Sequence, residues 1–316
     1  MSKKHLENAK KAKNDEFYTQ LVDLEKELQH YKKHFKDKIV FCNCDDPTYS
    51  NFWKYFHLNF KFLGLKKLIS THYDSKNPTY KMEYSGGNDA DCNIGLKISL
   101  KGNGDFRSQE CIDILKESDI VVTNPPFSLF REYVSQLIKY NKKFIIIGNM
   151  NAITYKEIFP LIKNNKIWAG YSFNKTFEFS VPDYYETSKS KRIDENGRKI
   201  IKVPTICWFT NEKISKHTEK LFLTEKYDPE KYPKYDNYDA INVDKVAEIP
   251  KDYDGVMGVP ISFLDKYCPE QFEILGATES EGKGFSSGLW DDKSKISQPV
   301  VDGHRVYKRL FIRKIG

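Results

Sequence analysis

Residues 119–149 read DIVVTNPPFSLFREYVSQLIKYNKKFIIIGN. The apolar run DIVVT predicts a buried strand, SLFREYVSQLIKY an amphipathic helix, and KKFIIIGN a second buried strand. Strand, helix and strand joined this closely form a βαβ unit with parallel strands. The pattern is interrupted by Asn124-Pro125-Pro126-Phe127, placed where the first strand ends. Each proline fixes φ and lacks an N–H, and Pro126 pushes Pro125 out of the helical region. The loop is therefore stiff and extended, with its carbonyls free to point into a cleft.

The same rhythm extends toward the N-terminus. KIVFCN (38–43) predicts a strand, SNFWKYFHLNFKFLG (50–64) a helix with Ser50 as N-cap and Gly64 just past its end, and KKLISTHY (66–73) a strand. Before them, LVDLEKELQHYKKHF (21–35) sets Leu21, Leu24, Leu28, Tyr31 and Phe35 on one helical face. Residues 74–92 are rich in Gly, Asn, Asp and Ser and read as a loop or irregular hairpin before a third strand, NIGLKISL (93–100); SQECIDILKES (108–118) is a helix. The expectation is an α/β fold, a doubly wound Rossmann-like sheet of four or five parallel strands. TFEFSV (176–181) and KVPTICWFT (202–210) predict two more strands, and Asn196-Gly197 between them signals a hairpin. From Asn211 the rhythm gives way to Tyr-, Pro- and Asp-rich sequence. Residues 1–210 are thus expected to form one domain and 211–316 a second.

Composition narrows the function classes. With 39% hydrophobic, 30% charged and 14% aromatic residues in a chain of 316, this is a globular protein with ample core. The net charge of +7 suits a polyanionic partner, and equally a lysine-rich protein without one. The tail GHRVYKRLFIRKIG concentrates Arg305, Lys308, Arg309, Arg313 and Lys314 without an acid, as a segment following a phosphate backbone would. Six cysteines in no paired spacing imply neither a zinc site nor a disulfide framework, so no metal is expected. No apolar run is long enough to span a bilayer and MSKKHLENAKKAK lacks a signal-peptide core, so the expectation is a cytoplasmic protein with no membrane partner. GATESEGKG (276–284) has the wrong glycine spacing for a phosphate loop and no Ser or Thr after Gly-Lys.

The chemistry points to residues 124–127. Open α/β sheets bind ligands beyond the carboxyl ends of their strands, where Asn124 falls. An exocyclic amine on a nucleobase is a poor nucleophile because its lone pair is delocalised into the ring. The side-chain oxygen of Asn124 and the carbonyl of Pro125 could each accept one amine hydrogen and favour the pyramidal form that attacks. Phe127 could stack on the base, a contact worth about 1–3 kcal/mol. No charged base is needed for that step.

Taken with the blocks NDEFYTQ, VFCNCDDP, NPPFSLFREYVSQLIKY, NAITYKEIF, YPKYDNYDAINV, YDGVMGVPISFL and PEQF, the chain resembles the EcoRI-type adenine-specific DNA methyltransferases over nearly its whole length. The resemblance implies S-adenosylmethionine as cofactor, and site-specific transfer to adenine N6 within a restriction-modification or orphan system. It places Phe17, Tyr18 and Thr19 against the methionine part of the cofactor; aromatic faces attract a sulfonium by about 0.5–2 kcal/mol. Where such enzymes usually carry glycines, this chain has FCNCDDP. Asn43 lies in that turn, and Asp45 or Asp46 is expected to hold the cofactor's ammonium or ribose, unless it caps the following helix. Asp105 matches the acid that accepts the cofactor's adenine amine, with Phe106 beside the ring, and Asp74 is a weaker candidate for the ribose. Asn124 would also border the cofactor. Phe177 and Phe179 resemble the aromatics that pack a target base, or are plain core.

An adenine in duplex DNA must swing out of the stack to reach such a loop, at a cost of a few kcal/mol. Lys189, Lys191, Arg192, Arg198 and Lys199 on the Asn-Gly hairpin, with Arg305, Lys308 and Arg309, are the candidate DNA contacts, the alternative being a solvated hairpin. The family's order of motifs puts target recognition after residue 211, and its namesake modifies GAATTC. Double-stranded DNA is then the partner, with a cognate endonuclease acting separately where one exists. The rival acceptors are RNA or a protein glutamine, whose enzymes usually carry tyrosine after the prolines.

Overall fold

The computed structural model describes residues 18–181, 191–194, 197–278, 288–291, 294 and 296–315. The chain divides into two compact units, Met1–Asn149 with Gly170–Glu212, and Met150–Ala169 with Lys213–Gly316. Residues 150–169 thus belong with the later part of the chain, although they precede the expected boundary at 210.

In the first unit, β1 (Tyr18–Thr19) leads into α1 (Leu21–Leu28), whose buried stripe of Leu24 and Leu28 continues through Tyr31 and Phe35. β2 (Ile39–Asn43) is buried along its whole length, as a central parallel strand must be. α2 (Asn51–Leu58) is capped by Ser50, whose side chain accepts from the Phe52 N–H, and Gly64 ends the following turn at φ +66°. β3 (Lys67–Thr71), β4 (Tyr80–Tyr84) and β5 (Leu96–Ser99) follow, then α3 (Gln109–Glu117), β6 (Ile120–Thr123), α4 (Phe130–Lys139) and β7 (Lys143–Asn149).

The strands of this unit's large sheet run in the order β5-β4-β3-β2-β6-β7-β12, where β12 is Ile206–Thr210. Four of them, β3, β2, β6 and β7, are parallel. The segment read as a loop or irregular hairpin supplies β4, antiparallel to β3, and β5 pairs antiparallel with β4 at the sheet's edge. β4 is half-buried and β5 largely exposed, so their polar YKMEY and LKIS sequences carry no clean apolar period. KVPTICWFT, read as one strand, is two. Its front half completes β11 (Lys199–Val203), and β12 pairs antiparallel with β7, the chain turning at Pro204-Thr205.

β1, β9 (Phe177–Val181), β11 and β10 (Lys191–Ile193) form a small antiparallel sheet in the order β1-β9-β11-β10. Phe177 and Phe179 point to one side of β9, fully buried, with ring centroids 5.9 Å apart. They are core residues, which is what alternate phenylalanines in a strand most often are.

The second unit holds a short strand, β8 (Trp168–Ala169), the helix α5 (Phe159–Lys163) and a four-stranded sheet. That sheet runs β13 (Ile241–Asn242), β14 (Met257–Pro260), β18 (Arg309–Lys314), β15 (Phe272–Ala277). The hairpin partners β16 (Val300–Val301) and β17 (His304–Arg305) stand apart from it. Tyr235, Tyr238 and Phe311 build a core cluster with partly buried Leu289 and Trp290, which explains the tyrosine-rich sequence.

Candidate active site

Strand order alone marks the place. The chain leaves β2 toward β3 on one side, then crosses back to lay β6 on β2's other side. Right-handed crossovers in opposite directions put their helices on opposite faces, leaving a crevice beyond the carboxyl ends of β2 and β6. The β2 loop, Cys44 to Asp46, and the tetrad Asn124–Phe127 both stand at that switch point.

Thr123 ends β6, and its hydroxyl, with one hydrogen to give, bridges the Asn43 carbonyl and Asp45 Oδ2. The Asn124 N–H donates to the Asp45 carboxylate as well. Pro125 is buried, and Pro126 has φ −55° and ψ 120°, the extended geometry expected of the loop. Phe127 opens a 3-10 turn (Phe127–Leu129) that feeds α4, and its ring is half-buried.

Asn43 is fully buried, its Oδ1 accepting from Thr71 Oγ1 at 3.0 Å. Cys44 follows with φ +90°, a conformation suited to glycine; its N–H and that of Asp45 both donate to the Thr71 carbonyl, at 3.0 and 2.9 Å. The two aspartates then part company. Asp45 is buried and accepts from Ser50 Oγ at 2.9 Å; burial drives its carboxyl up to about 7, against the Thr123 and Ser50 hydroxyls and the Asn124 N–H. Asp46 is partly exposed and accepts from the Thr48 N–H and hydroxyl and from the Tyr80 hydroxyl at 3.1 Å, with His72 Nε2 3.7 Å away.

Asp105 reaches the same sheet edge, because β5 runs parallel to β3 one strand removed. Gly104, at φ +73°, lets the chain pass against the His72 carbonyl and Thr79, where a Cβ would collide. Arg107 clamps both carboxylate oxygens of Asp105, Nε to Oδ1 at 2.9 Å and a terminal nitrogen to Oδ2 at 2.6 Å, while the Arg107 N–H also donates to Oδ1 at 2.9 Å. The guanidinium holds this carboxyl below the usual range. Phe106 is buried edge-on to Tyr133, with centroids 5.0 Å apart, and so supports the turn from below. Asp74 is tied to its own turn through the Lys76 and Asn77 N–H groups, and the Asp74 N–H donates to the Asn103 carbonyl at 2.9 Å.

Phe17 lies outside the described residues, as does the side chain of Tyr18. Thr19 ends β1 rather than opening α1, whose N-cap is Gln20, because Tyr18 and Thr19 pair with Ser180 and Phe179. Thr19 Oγ1 is buried with no hydrogen-bond partner among the described residues, and the Thr19 carbonyl accepts from Asn51 Nδ2 at 2.7 Å. A buried hydroxyl without a partner, next to the first residue of α2, fits a polar ligand seated there.

The candidate DNA contacts separate. Lys189 and the Lys191 side chain lie outside the described residues. Arg192 pairs with Glu178 at 2.5 Å, Arg198 is exposed, and Lys199 is half-buried on β11. In the second unit Arg305 is exposed, while Lys308 donates to Thr154 Oγ1 at 3.1 Å. Arg309 is buried in β18, donating to the Tyr307 carbonyl at 2.9 Å and pairing with Asp244 at 3.3 Å. The tail is therefore a central strand whose acids come from neighbours, Glu273 for Arg313 and Asp254 for Lys314. Among the described residues no cluster of His, Cys, Asp or Glu could hold a metal, and no helix is long and apolar enough to cross a membrane.

Ser70, Thr71, Thr123, Tyr80 and Arg107 went unread as site residues. Arg107 had a local signal, an acid two residues upstream able to accept its N–H in an Asx turn. The hydroxyls had none, since strand threonines and serines are common for packing reasons alone.

A rigid Asn-Pro-Pro-Phe strand terminus at the switch point of a doubly wound sheet defines an amino-group methyltransferase. The family described as adenine-specific methyltransferase EcoRI matches residues 5–315, and the chain belongs to that family. It is 53% identical over 326 aligned residues to the Type II methyltransferase M.EcoRI of Escherichia coli, covering 98% of this chain and 96% of that protein. It is 41% identical over 320 residues to the Type II methyltransferase M.MgeORF184P of Mycoplasma genitalium, covering 98% of each, and 41% over 276 residues to M.MpnI of Mycoplasma pneumoniae, covering 86% of this chain and 85% of that protein. No solved structure matches the chain significantly.

Proposed function

We propose that the protein methylates the N6 amine of an adenine swung out of duplex DNA, with S-adenosylmethionine as donor. The observation that carries this reading is the Asn124–Phe127 loop, extended and anchored at the switch point beside the β2 loop. The Asn124 amide oxygen and the Pro125 carbonyl each accept one amine hydrogen, and Phe127 stacks on the base. Thr19, whose buried hydroxyl has no partner among the described residues, and Asp105, held in one orientation by Arg107, are the residues that hold the cofactor. When bound, the cofactor supplies an electrophilic methyl group on a sulfonium. Phe17 and Tyr18 are, in this reading, further candidates for the methionine part of the cofactor. Proximity and alignment provide much of the acceleration, with no charged base at the amine.

Target reading falls to residues from about 211 onward, with Arg198, Lys199 and Arg305 among the backbone contacts and a GAATTC-like site as the target. Relatives named as Type II methyltransferases support a role in a restriction-modification system. Tritiated-methyl transfer to duplex DNA, RNA and protein tests the reading. The expected product is N6-methyladenine in duplex DNA at one short sequence; label confined to RNA or to glutamine overturns it. Long-read mapping of modified bases in cells with and without the gene then gives the site.

A further inference from the structure

We propose that Asp45 is a positioning residue for the Asn124 loop: its carboxylate locks the end of β6 to the end of β2, and it does not contact the cofactor. The proposal rests on Asn124 being the amine acceptor. In Asn124-Pro125-Pro126 only Asn124 carries a backbone N–H, so the tripeptide can be held through its main-chain donors at one point alone. That donor goes to Asp45. The adjacent Thr123 hydroxyl goes to the same carboxylate, at Oδ2, and Oδ1 receives the hydroxyl of Ser50 at 2.9 Å.

Asp45 is itself immobilised. Its N–H donates to the Thr71 carbonyl at 2.9 Å, its carbonyl accepts from Ser70 Oγ, and it is 8% exposed. Three strand ends, those of β2, β3 and β6, thus meet at one residue, β3 through the Asp45 main chain and β6 through its carboxylate. Ser50 in turn caps α2, so the first turn of that helix joins the same network. Asp45 carries three donors on its two oxygens, as Asp105 does, but its burial leaves it far less surface to offer a ligand ammonium. A carboxyl kept from solvent costs stability when ionised, and one whose donors all come from loop anchors is retained for the geometry it enforces. Asp46, one residue on and partly exposed, remains the acid on the open side of the loop.

The test compares Asp45→Ala, Asp45→Asn and Thr123→Val with wild type and with Asn124→Ala. Three quantities are measured: cofactor Kd by calorimetry, the single-turnover methyl-transfer rate on a duplex oligonucleotide, and Tm. Misplacing a reacting group by about 1 Å costs about a hundredfold in rate, so Asp45→Ala should slow transfer by about that factor. Cofactor Kd should stay within about threefold, since no ligand contact is lost. Asp45→Asn, which keeps the shape and one acceptor, should recover part of the rate. Thr123→Val removes one bond to a charged acceptor and should slow transfer about tenfold, non-additively with Asp45→Ala. An equal loss of cofactor affinity and rate in folded Asp45→Asn would make Asp45 a cofactor ligand and overturn the proposal, as would an unchanged rate in Asp45→Ala while Asn124→Ala is inactive. Full activity in Asn124→Ala would instead overturn the reading of the loop itself.

Discussion

Two acidic loops stand at one sheet edge and are built in opposite ways. The loop after β2 draws its Asp45 inward, surrounds it with hydroxyls and an amide N–H, and leaves its carboxyl near 7. The loop after β5 leaves Asp105 partly exposed, clamps it with the guanidinium of Arg107 and holds its carboxyl below the usual range. Desolvation dominates in the first case and an opposite charge in the second. The same residue type at the same edge is therefore held in two ways: a buried carboxylate bonded by loop anchors, and a partly exposed one paired with a guanidinium.

Substitutions can break or sharpen this contrast. The largest effect should come from Asn124→Ala, which leaves both loops intact and removes the acceptor between them; single-turnover rate should fall about 10²–10³-fold, as for loss of an oxyanion-hole donor, with cofactor affinity nearly unchanged. Gly104→Ala should cost about 2–4 kcal/mol in thermal or urea unfolding, because a Cβ at φ +73° meets the His72 carbonyl and Thr79. Arg107→Ala should weaken cofactor binding about three- to tenfold near neutral pH and more in acid. The sign follows from the lowered carboxyl: its ionised form is favoured in the folded protein, so its contribution is present above the ordinary aspartate range and is lost as pH falls. Without Arg107 that loss begins at higher pH, and cofactor titrations between pH 4 and 7 would show it. Asp45 behaves in the reverse sense. Its carboxyl is raised, so its contribution is complete at low pH and is lost as pH rises through about 7; Asp45→Asn should flatten the fall in Tm over that interval. The smallest effect is expected of Cys44→Gly, which should raise stability by about 0.5–1 kcal/mol by relieving φ +90°.

How much of this was legible depended on burial. β2, β3, β6 and β7 are fully or nearly fully buried, so their apolar runs announced both strands and parallel pairing. β4 is half-buried and β5 largely exposed at the edge, and their alternation is lost among Lys, Glu and Ser. Pro204 hid a strand boundary, because Val203 and Ile206 on either side are both apolar and buried in different sheets. Within the site, Asn124 and its prolines were readable because proline has few structural uses at a strand end. Asp45 and Asp46 were not separable, since the difference between them is made by Ser50, Ser70 and Thr123, residues up to 78 positions away in the chain. Arg309 read as a free basic residue because Asp244, its partner, comes from another strand connection. Charge patterns along a sequence do not show which charges are already paired.

The most direct measurement is a ternary structure with an S-adenosylmethionine analogue and a duplex carrying the target adenine. The adenine N6 is expected within about 3 Å of both Asn124 Oδ1 and the Pro125 carbonyl, with Asp45 still enclosed and Asp105 on the cofactor. An adenine amine held away from the β6 terminus, or the cofactor seated outside the β2–β6 crevice, would contradict it.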